Sequence, residues 1–283
     1  YLGKWKRKVS LLEAIFLGLL QGLTEFLPIS SSAHIRIAGL ANESASDPGA
    51  TFTAIIQLGT ELAVVIYFRK QIWNILKNLM RSIFRMENET SETKLGWFIV
   101  IGTLPIVILG FLFQDLIRTE LRSLWVVAIV LILGGIILGL ADRLGRQSLQ
   151  LRNVDLRSGV IAGFAQALAL VPGVSRSAAT ISAMRALGYD RVAALQFSFL
   201  LAIPAVLASG IFELVNSLSN PELSRFSAAQ TLVATSVSFI SGYIVIAWLL
   251  RYVTRRSFAP FVIYRISLGA LLIILLSSGT IVA

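Results

Sequence analysis

Long apolar stretches recur along this chain of 283 residues, and they limit its fold more than any other feature. A helix needs about 20 consecutive apolar residues to cross the hydrocarbon core of a bilayer. Residues 95–113, 124–141, 192–215, 231–250 and 262–283 meet that length. A sixth stretch, 52–68, is shorter and carries Gln57 and Glu61, and it too reads as a span. Hydrocarbon offers no partner to a free N–H or C=O, so such stretches must close their own backbone hydrogen bonds as helices. Composition agrees: 56% of residues are hydrophobic, 14% are charged and the mean hydropathy is +0.79. An average soluble domain carries about 25% charged residues. The expected class is an all-α polytopic membrane protein, one integral membrane domain over residues 1–283.

Two further apolar stretches are broken in the middle. Residues 9–40 run into Pro28 and then Ser30-Ser31-Ser32; residues 158–187 run into Pro172-Gly173 and then Ser175-Arg176-Ser177. Pro interrupts a helix, and polar residues in its middle are costly against lipid. Irregular backbone at membrane depth is tolerated only inside protein or beside a water-filled cavity. Each stretch is therefore predicted to be a re-entrant pair of half-helices. The two also resemble each other. Gly18 and Gln21 match Gly163 and Gln166 at an offset of 145, and after one deletion Pro28 and Ser31 match Pro172 and Ser175 at 144. Each copy precedes three spans, an odd number, so the second enters the membrane from the opposite side. That predicts an inverted-topology repeat, with halves at about 9–141 and 158–283, six transmembrane helices and two re-entrant pairs. Such folds place their site between discontinuous helices at the midplane.

Charge orients the spans. Loops 69–94, 142–157 and 251–261 carry six, four and three Lys/Arg, whereas loops 114–123 and 216–230 carry two and one. Basic loops stay on the cytoplasmic side. The basic tail Lys4, Lys6, Arg7 and Lys8 falls outside if residues 9–40 only dip into the membrane, and inside if residues 9–27 cross it. The net charge of +10 is accounted for by these loops and by membrane lipids as partners, so nucleic acid is not expected. Cysteine is absent and His34 is the single histidine, which excludes thiolate chemistry, disulfides and His-rich metal sites.

The polar residues within the breaks carry the chemistry. Gln21 and Glu25, four apart, share a helix face. A carboxylate inside a membrane segment reads as functional by default, or else as the partner of a buried arginine. Ser31 and His34, three apart, would project from the first turn of a half-helix that begins after Pro28. Serines there either cap the helix or join its free N–H groups in an anion site. His34 alone could equally be a hydrogen-bonded interior residue, because Ser-x-x-His is a weak spacing signal. Arg176 offers a planar, permanently charged fork suited to phosphate; an ion pair with Glu25, or snorkelling to an interface, competes with that reading. With Ser30, Ser175 and Ser177 beside them, and Gln21 on the same face as Glu25, these groups suit a phosphate at membrane depth. Glu61 is a second intramembrane carboxylate, structural or functional on equal grounds.

The run Gln21-Gly22-Leu23-Thr24-Glu25-Phe26-Leu27-Pro28-Ile29-Ser30-Ser31-Ser32-Ala33-His34 resembles the first signature of the BacA/UppP family, the undecaprenyl-diphosphate phosphatases. Val171-Pro172-Gly173-Val174-Ser175-Arg176-Ser177 resembles the second, and Ile56–Val65 also looks familial. The likeness runs from about residue 10 to the C-terminus. It implies a phosphatase that hydrolyses undecaprenyl diphosphate, with Glu25, Ser31, His34 and Arg176 as catalytic positions. It also implies a divalent cation (Mg²⁺ or Ca²⁺), a homodimer, and a plasma-membrane site open to the outer face. Glu25 would hold the cation or orient His34. Gln21 lies within the family's range, but a neutral Gln is a poorer cation ligand than Glu. Ser31 is the candidate nucleophile with His34 as base or proton donor, and His34 as nucleophile or activator of water is the alternative. A polyprenyl-phosphate flippase is the competing class, because broken helices in inverted repeats are a transporter architecture.

Overall fold

The computed structural model describes residues 10–40, 49–84, 90–113, 123–220 and 226–281, apart from the side chain of residue 50. The basic tail Lys4, Lys6, Arg7 and Lys8 lies outside these residues, as do 114–122 of the first sparsely charged loop. Among the described residues there is no β-strand, only a bridge between Leu149 and Tyr189.

Eleven α-helices are described. They are α1 (Leu11–Thr24), α2 (Ser31–Leu40), α3 (Ala50–Tyr67), α4 (Arg69–Ile83), α5 (Ser91–Leu112) and α6 (Leu124–Leu144), then α7 (Leu156–Ala167), α8 (Arg176–Ala186), α9 (Arg191–Ser219), α10 (Ala228–Val253) and α11 (Ala259–Ser277). By length and apolarity α5, α6, α9, α10 and α11 can each cross a membrane, and α3 with α4 makes a sixth candidate. The chain is thus an all-helical, multi-pass membrane protein. Starts follow ordinary capping chemistry: Ser10, Thr90, Asp155, Asp190 and Ser227 each accept a hydrogen bond from a first-turn N–H.

The basic segment 69–94 is more structured than a loop. Residues 69–83 form α4, which bends 81° away from α3 at Phe68. Trp73, Leu76, Met80 and Ile83 are exposed on α4, which also carries Arg69, Lys70 and Lys77, while Ile75 is buried near Gly96 of α5. A helix with an unburied apolar stripe and a basic complement suits the headgroup interface, where both faces find their solvent. Six clustered cations therefore did not mean an unstructured connection.

Both broken segments are held by close backbone approach. A Cβ on Gly18 of α1 would fall 2.3 Å from the Ala234 carbonyl oxygen of α10, and one on Gly163 of α7 would fall 2.3 Å from the Gly102 carbonyl oxygen of α5. Small residues at such crossings let van der Waals packing do what the hydrophobic effect cannot do between helices in lipid. Around these pairs α3 packs on α9 and α10, α11 on α6, and α8 on α6, α7 and α9. One end of the molecule is tied by the buried Asp142, which accepts from Arg185 Nε (3.1 Å), from Arg191 Nε (2.7 Å) and from the Phe258 N–H (3.1 Å). This joins the ends of α6, α8, α9 and α11, and it uses all of that carboxylate's charge structurally.

Candidate active site

The two helix breaks meet. Between α1 and α2 the chain turns through Pro28 and Ser30; after α7 it passes a short 3₁₀ turn at Leu168–Leu170 and then turns through Gly173 and Ser175. Ser30 (φ 75°) and Ser175 (φ 68°) are the two non-glycine residues with positive φ among those described. Left-handed backbone is unfavourable for L-residues and persists only where the surroundings impose it. Each serine then caps the helix that follows it. The Ala33 N–H donates to Ser30 Oγ (3.4 Å) and the Ala178 N–H to Ser175 Oγ (3.3 Å); Ser30 pairs with Ser32 and Ser175 with Ser177, both at 3.1 Å. The two turns therefore correspond at a constant offset of 145, Ser30 to Ser175, without the one-residue deletion used to align the prolines. They also bond to one another: the Gly173 N–H donates to Ser32 Oγ (3.3 Å) and Ser177 Oγ to the Leu27 carbonyl (3.3 Å).

Glu25 sits at the centre of this contact. Its Oε2 accepts from Gln21 Nε2 (2.8 Å) and Ser31 Oγ (2.6 Å), and its Oε1 from Gln57 Nε2 (2.8 Å) and Arg176 (2.6 Å). Burial of this carboxylate is thus offset by four donors, one of them a cation. Arg176 also lies 3.8 Å from Glu61, whose two carboxylate oxygens are buried with no hydrogen-bond partner among the described residues. Gln21, Glu25, Ser30, Ser31, Ser175 and Arg176 all line a cavity of about 570 Å³, together with Gln57 and Ser32. Its remaining wall is apolar: Ile106, Val107 and Phe111 of α5, Leu170, and Ala205, Val206 and Phe212 of α9. The N–H groups of Ser31, Ser32, Arg176 and Ser177, in the first turns of α2 and α8, have no acceptor among the described residues. Two helix starts with free N–H groups give this cavity the character of an anion site.

His34 stands apart from this group. It does not line the cavity and does not bond to Ser31. Nδ1 lies 2.7 Å from the Ser30 carbonyl, which can only accept, so Nδ1 carries the hydrogen. In the neutral ring Nε2 is then the acceptor, and the Tyr264 hydroxyl lies 2.6 Å away. The two rings stack at 5.5 Å. The group that Ser31 is bonded to is Glu25.

Sequence reading brought Gln21, Glu25, Ser30, Ser31, Ser175, Ser177 and Arg176 to one place, but it assigned no role to Gln57, Ser32, Tyr264 or Arg265. Gln57 shares α3 with Glu61, one turn before it, a signal that was available. Arg265 is a charge inside an expected span, which is itself a functional indication. It is fully buried and donates only to main-chain carbonyls.

The chain is 57% identical to an undecaprenyl-diphosphatase of Clavibacter michiganensis subsp. michiganensis, over 97% of this chain and all of the relative. It is 54% identical to an undecaprenyl-diphosphatase of Micrococcus luteus over 96% of this chain and 99% of that one. An undecaprenyl-diphosphatase 2 of Agrobacterium fabrum is 50% identical over 96% of this chain and 98% of that one. The family model described as bacitracin resistance protein BacA matches residues 14–271, and the chain belongs to that family.

Proposed function

We propose that this protein is an undecaprenyl-diphosphatase, a membrane hydrolase that cleaves undecaprenyl diphosphate to undecaprenyl phosphate and inorganic phosphate, returning the lipid carrier to cell-wall synthesis. Relatives of that name align over nearly the whole chain. The observation that carries the reading is the shared carboxylate. Glu25 holds the Ser31 hydroxyl and the Arg176 guanidinium on the polar floor of a cavity whose other wall is apolar. A diphosphate fits the floor, and a prenyl chain fits the slot between α5 and α9.

Ser31 is the nucleophile. A serine needs an adjacent base, and Glu25 Oε2 is already in place at 2.6 Å. The other oxygen of that carboxylate, Oε1, is held by Arg176 at 2.6 Å. The terminal phosphate of the substrate competes for the same guanidinium, and as Arg176 turns to it Glu25 is freed to take the Ser31 proton. Ser31 Oγ then bonds to the terminal phosphorus while the bridging P–O bond breaks, releasing undecaprenyl phosphate. Water attacks the phosphoserine, phosphate leaves, and Ser31 recovers its proton from Glu25. Arg176 and the free N–H groups of α2 and α8 stabilise charge on the transferred group.

The oxygens near Arg176 and Glu25 that suit a divalent cation are those without a donor among the described residues: Glu61 Oε1 and Oε2, and Gln21 Oε1. Glu25, with four donors, gives one up before it can ligate. No group of three acidic or histidine side chains stands ready among the described residues. Hard cations bound by one or two carboxylates complete their shell with substrate phosphates. Glu61 with Gln21, and Glu25 once Arg176 has left it, would hold Mg²⁺ or Ca²⁺ here, and the ion would neutralise charge on the phosphates.

An inverted-topology repeat, with six spans and two re-entrant pairs in the plasma membrane and the cavity open to its outer face, completes the reading. The matched turns at Ser30 and Ser175, and the matched contacts at Gly18 and Gly163, support it. The test is phosphate release from undecaprenyl diphosphate by purified protein in detergent, with and without chelator. Detergent leaves no second compartment, so release there excludes a flippase that lacks chemistry, and its absence with cation present overturns the phosphatase.

A further inference from the structure

Arg265 lies within α11 and is fully buried. No carboxylate stands within ion-pair distance of it among the described residues. Its guanidinium instead reaches five carbonyl oxygens on three separate segments. Nη1 donates to the Pro28 carbonyl (3.2 Å) in the first helix break, and Nη2 to those of Gly173 and Val174 (both 3.0 Å) in the second. Nε and Nη2 donate to the carbonyls of Leu131 (3.3 Å) and Val130 (3.4 Å) of α6. A charge at this depth is costly unless its donors are all engaged, and here the acceptors are the turns that carry the site.

The neighbouring sequence makes room for it. A Cβ on Gly134 of α6 would stand 2.4 Å from Arg265 Nη2 and 3.2 Å from Cζ, so a side chain there displaces the fork from this position. The peptide unit is planar, so a carbonyl that is held fixes the direction of the N–H across the same bond. Anchoring the Val174 carbonyl therefore aims the Ser175 N–H away from Arg265, and that N–H has no acceptor among the described residues. Ser175 lines the cavity, and Arg176 follows it directly.

We propose that Arg265 is a positioning residue for phosphoryl transfer. Seated in the Gly134 notch, it clamps the two helix breaks to α6 and to each other, and so sets the distance between Ser31 on one break and Arg176 on the other. It does not touch the cavity and acts through the turns. This rests on the phosphatase reading for its effect on turnover, but the clamp itself can be measured without chemistry. Lysine keeps the charge yet has one compact ammonium, which cannot bridge carbonyls on three segments. Alanine at 134 leaves Arg265 in the chain but fills its seat, and in a helix it does not weaken α6.

The experiment uses the full chain in detergent. The native sequence has no cysteine, so spin labels can be attached at Leu23 and Leu168, exposed positions just before each break. Phosphate release, thermal unfolding and the spin–spin distance distribution are measured for parent, Arg265→Lys and Gly134→Ala. Misplacement of reacting groups by about 1 Å costs on the order of 10²-fold in rate. The expected result is a fall in turnover of that order in both variants, a broadened distance distribution, and a folded protein at assay temperature. If Arg265→Lys does not fold, Gly134→Ala carries the test. Parent-like turnover with a parent-like distribution overturns the proposal, and so does reduced turnover with an unchanged distribution. A parent that releases no phosphate while the variants broaden overturns the phosphatase reading and leaves the clamp standing.

Discussion

The two helix breaks share a backbone and differ in chemistry. Ser30 and Ser175 both have positive φ, cap the N–H three residues on and pair with the serine two residues on. At the position after each turn, one break carries Ser31 and the other Arg176, and both reach Glu25. Upstream the likeness ends. Gln21 and Gln166 correspond, but Gln21 donates to Glu25, whereas the place of Glu25 in the second copy is taken by Leu170. Gln166 is fully buried, and neither amide atom has a partner among the described residues. Free N–H groups, which either helix start supplies, suffice to attract a phosphate. Cleaving it needs a carboxylate base, a nucleophile and a clamp, and one of each is enough. The duplicated part is the anion-binding backbone, while the reactive side chains are divided between the copies.

If that division is right, the matched positions Ser31 and Arg176 should fail differently. Ser31→Ala removes the attacking atom, and turnover should fall by about 10³-fold or more while lipid diphosphate still binds. No phosphoenzyme should be trapped after acid quench of that variant. Substantial turnover by Ser31→Ala removes serine from the role. Arg176→Lys keeps a charge but loses the fork that spans Glu25 and a phosphate, and a clamp of this kind supplies about 10³-fold. Single-turnover rates on the Lys variant check this. A near-parental rate would make Arg176 a point charge and would leave the second break without a reactive part.

Much of this was legible beforehand. Hydropathy located the spans because bilayer thickness fixes their length, and Pro28 and Pro172 with their serines marked the breaks because polar residues cannot face lipid. Glu25, Ser31 and Arg176 stood out for the same reason. Two kinds of feature did not. Four of the six basic residues of 69–94 lie in α4 and read as a loop, although Trp73, Leu76 and Met80 repeat at helical spacing. Partner choice was also hidden. Spacing placed Ser31 and His34 on one face of α2, yet Ser31 bonds back to Glu25 and His34 to Ser30 and Tyr264. Positive φ at Ser30 sets those directions, and a serine announces no such conformation in sequence.

That pairing gives the next, smaller effect. With Nδ1 on the Ser30 carbonyl and Nε2 facing Tyr264, His34 supports the first turn and has no counterpart beside Ser175. His34→Ala should therefore cost less than Glu25→Gln in kcat, roughly tenfold to a hundredfold, below or at the low end of what a general base supplies. Tyr264→Phe should cost less again. Added imidazole should not restore the His34 variant; restoration would make His34 the base and reduce Glu25 to an anchor for Arg176.

The smallest effect lies in the copy without an acid, and its sign is opposite. Gln166 Nε2 and Oε1 are buried with no partner among the described residues, and each such group carries a desolvation cost of about 1–3 kcal/mol. Leucine is close to Gln in size and has no polar atom to leave unsatisfied, so Gln166→Leu should raise the thermal midpoint in detergent and leave turnover unchanged. The same replacement at Gln21 removes a donor to Glu25 at 2.8 Å, and it should lower both the midpoint and turnover. Measuring the pair side by side tests the comparison at its weakest point. Should Gln166→Leu destabilise the protein or slow it, the second copy holds an occupied polar site, and the division of labour between the breaks is not as one-sided as Leu170 makes it.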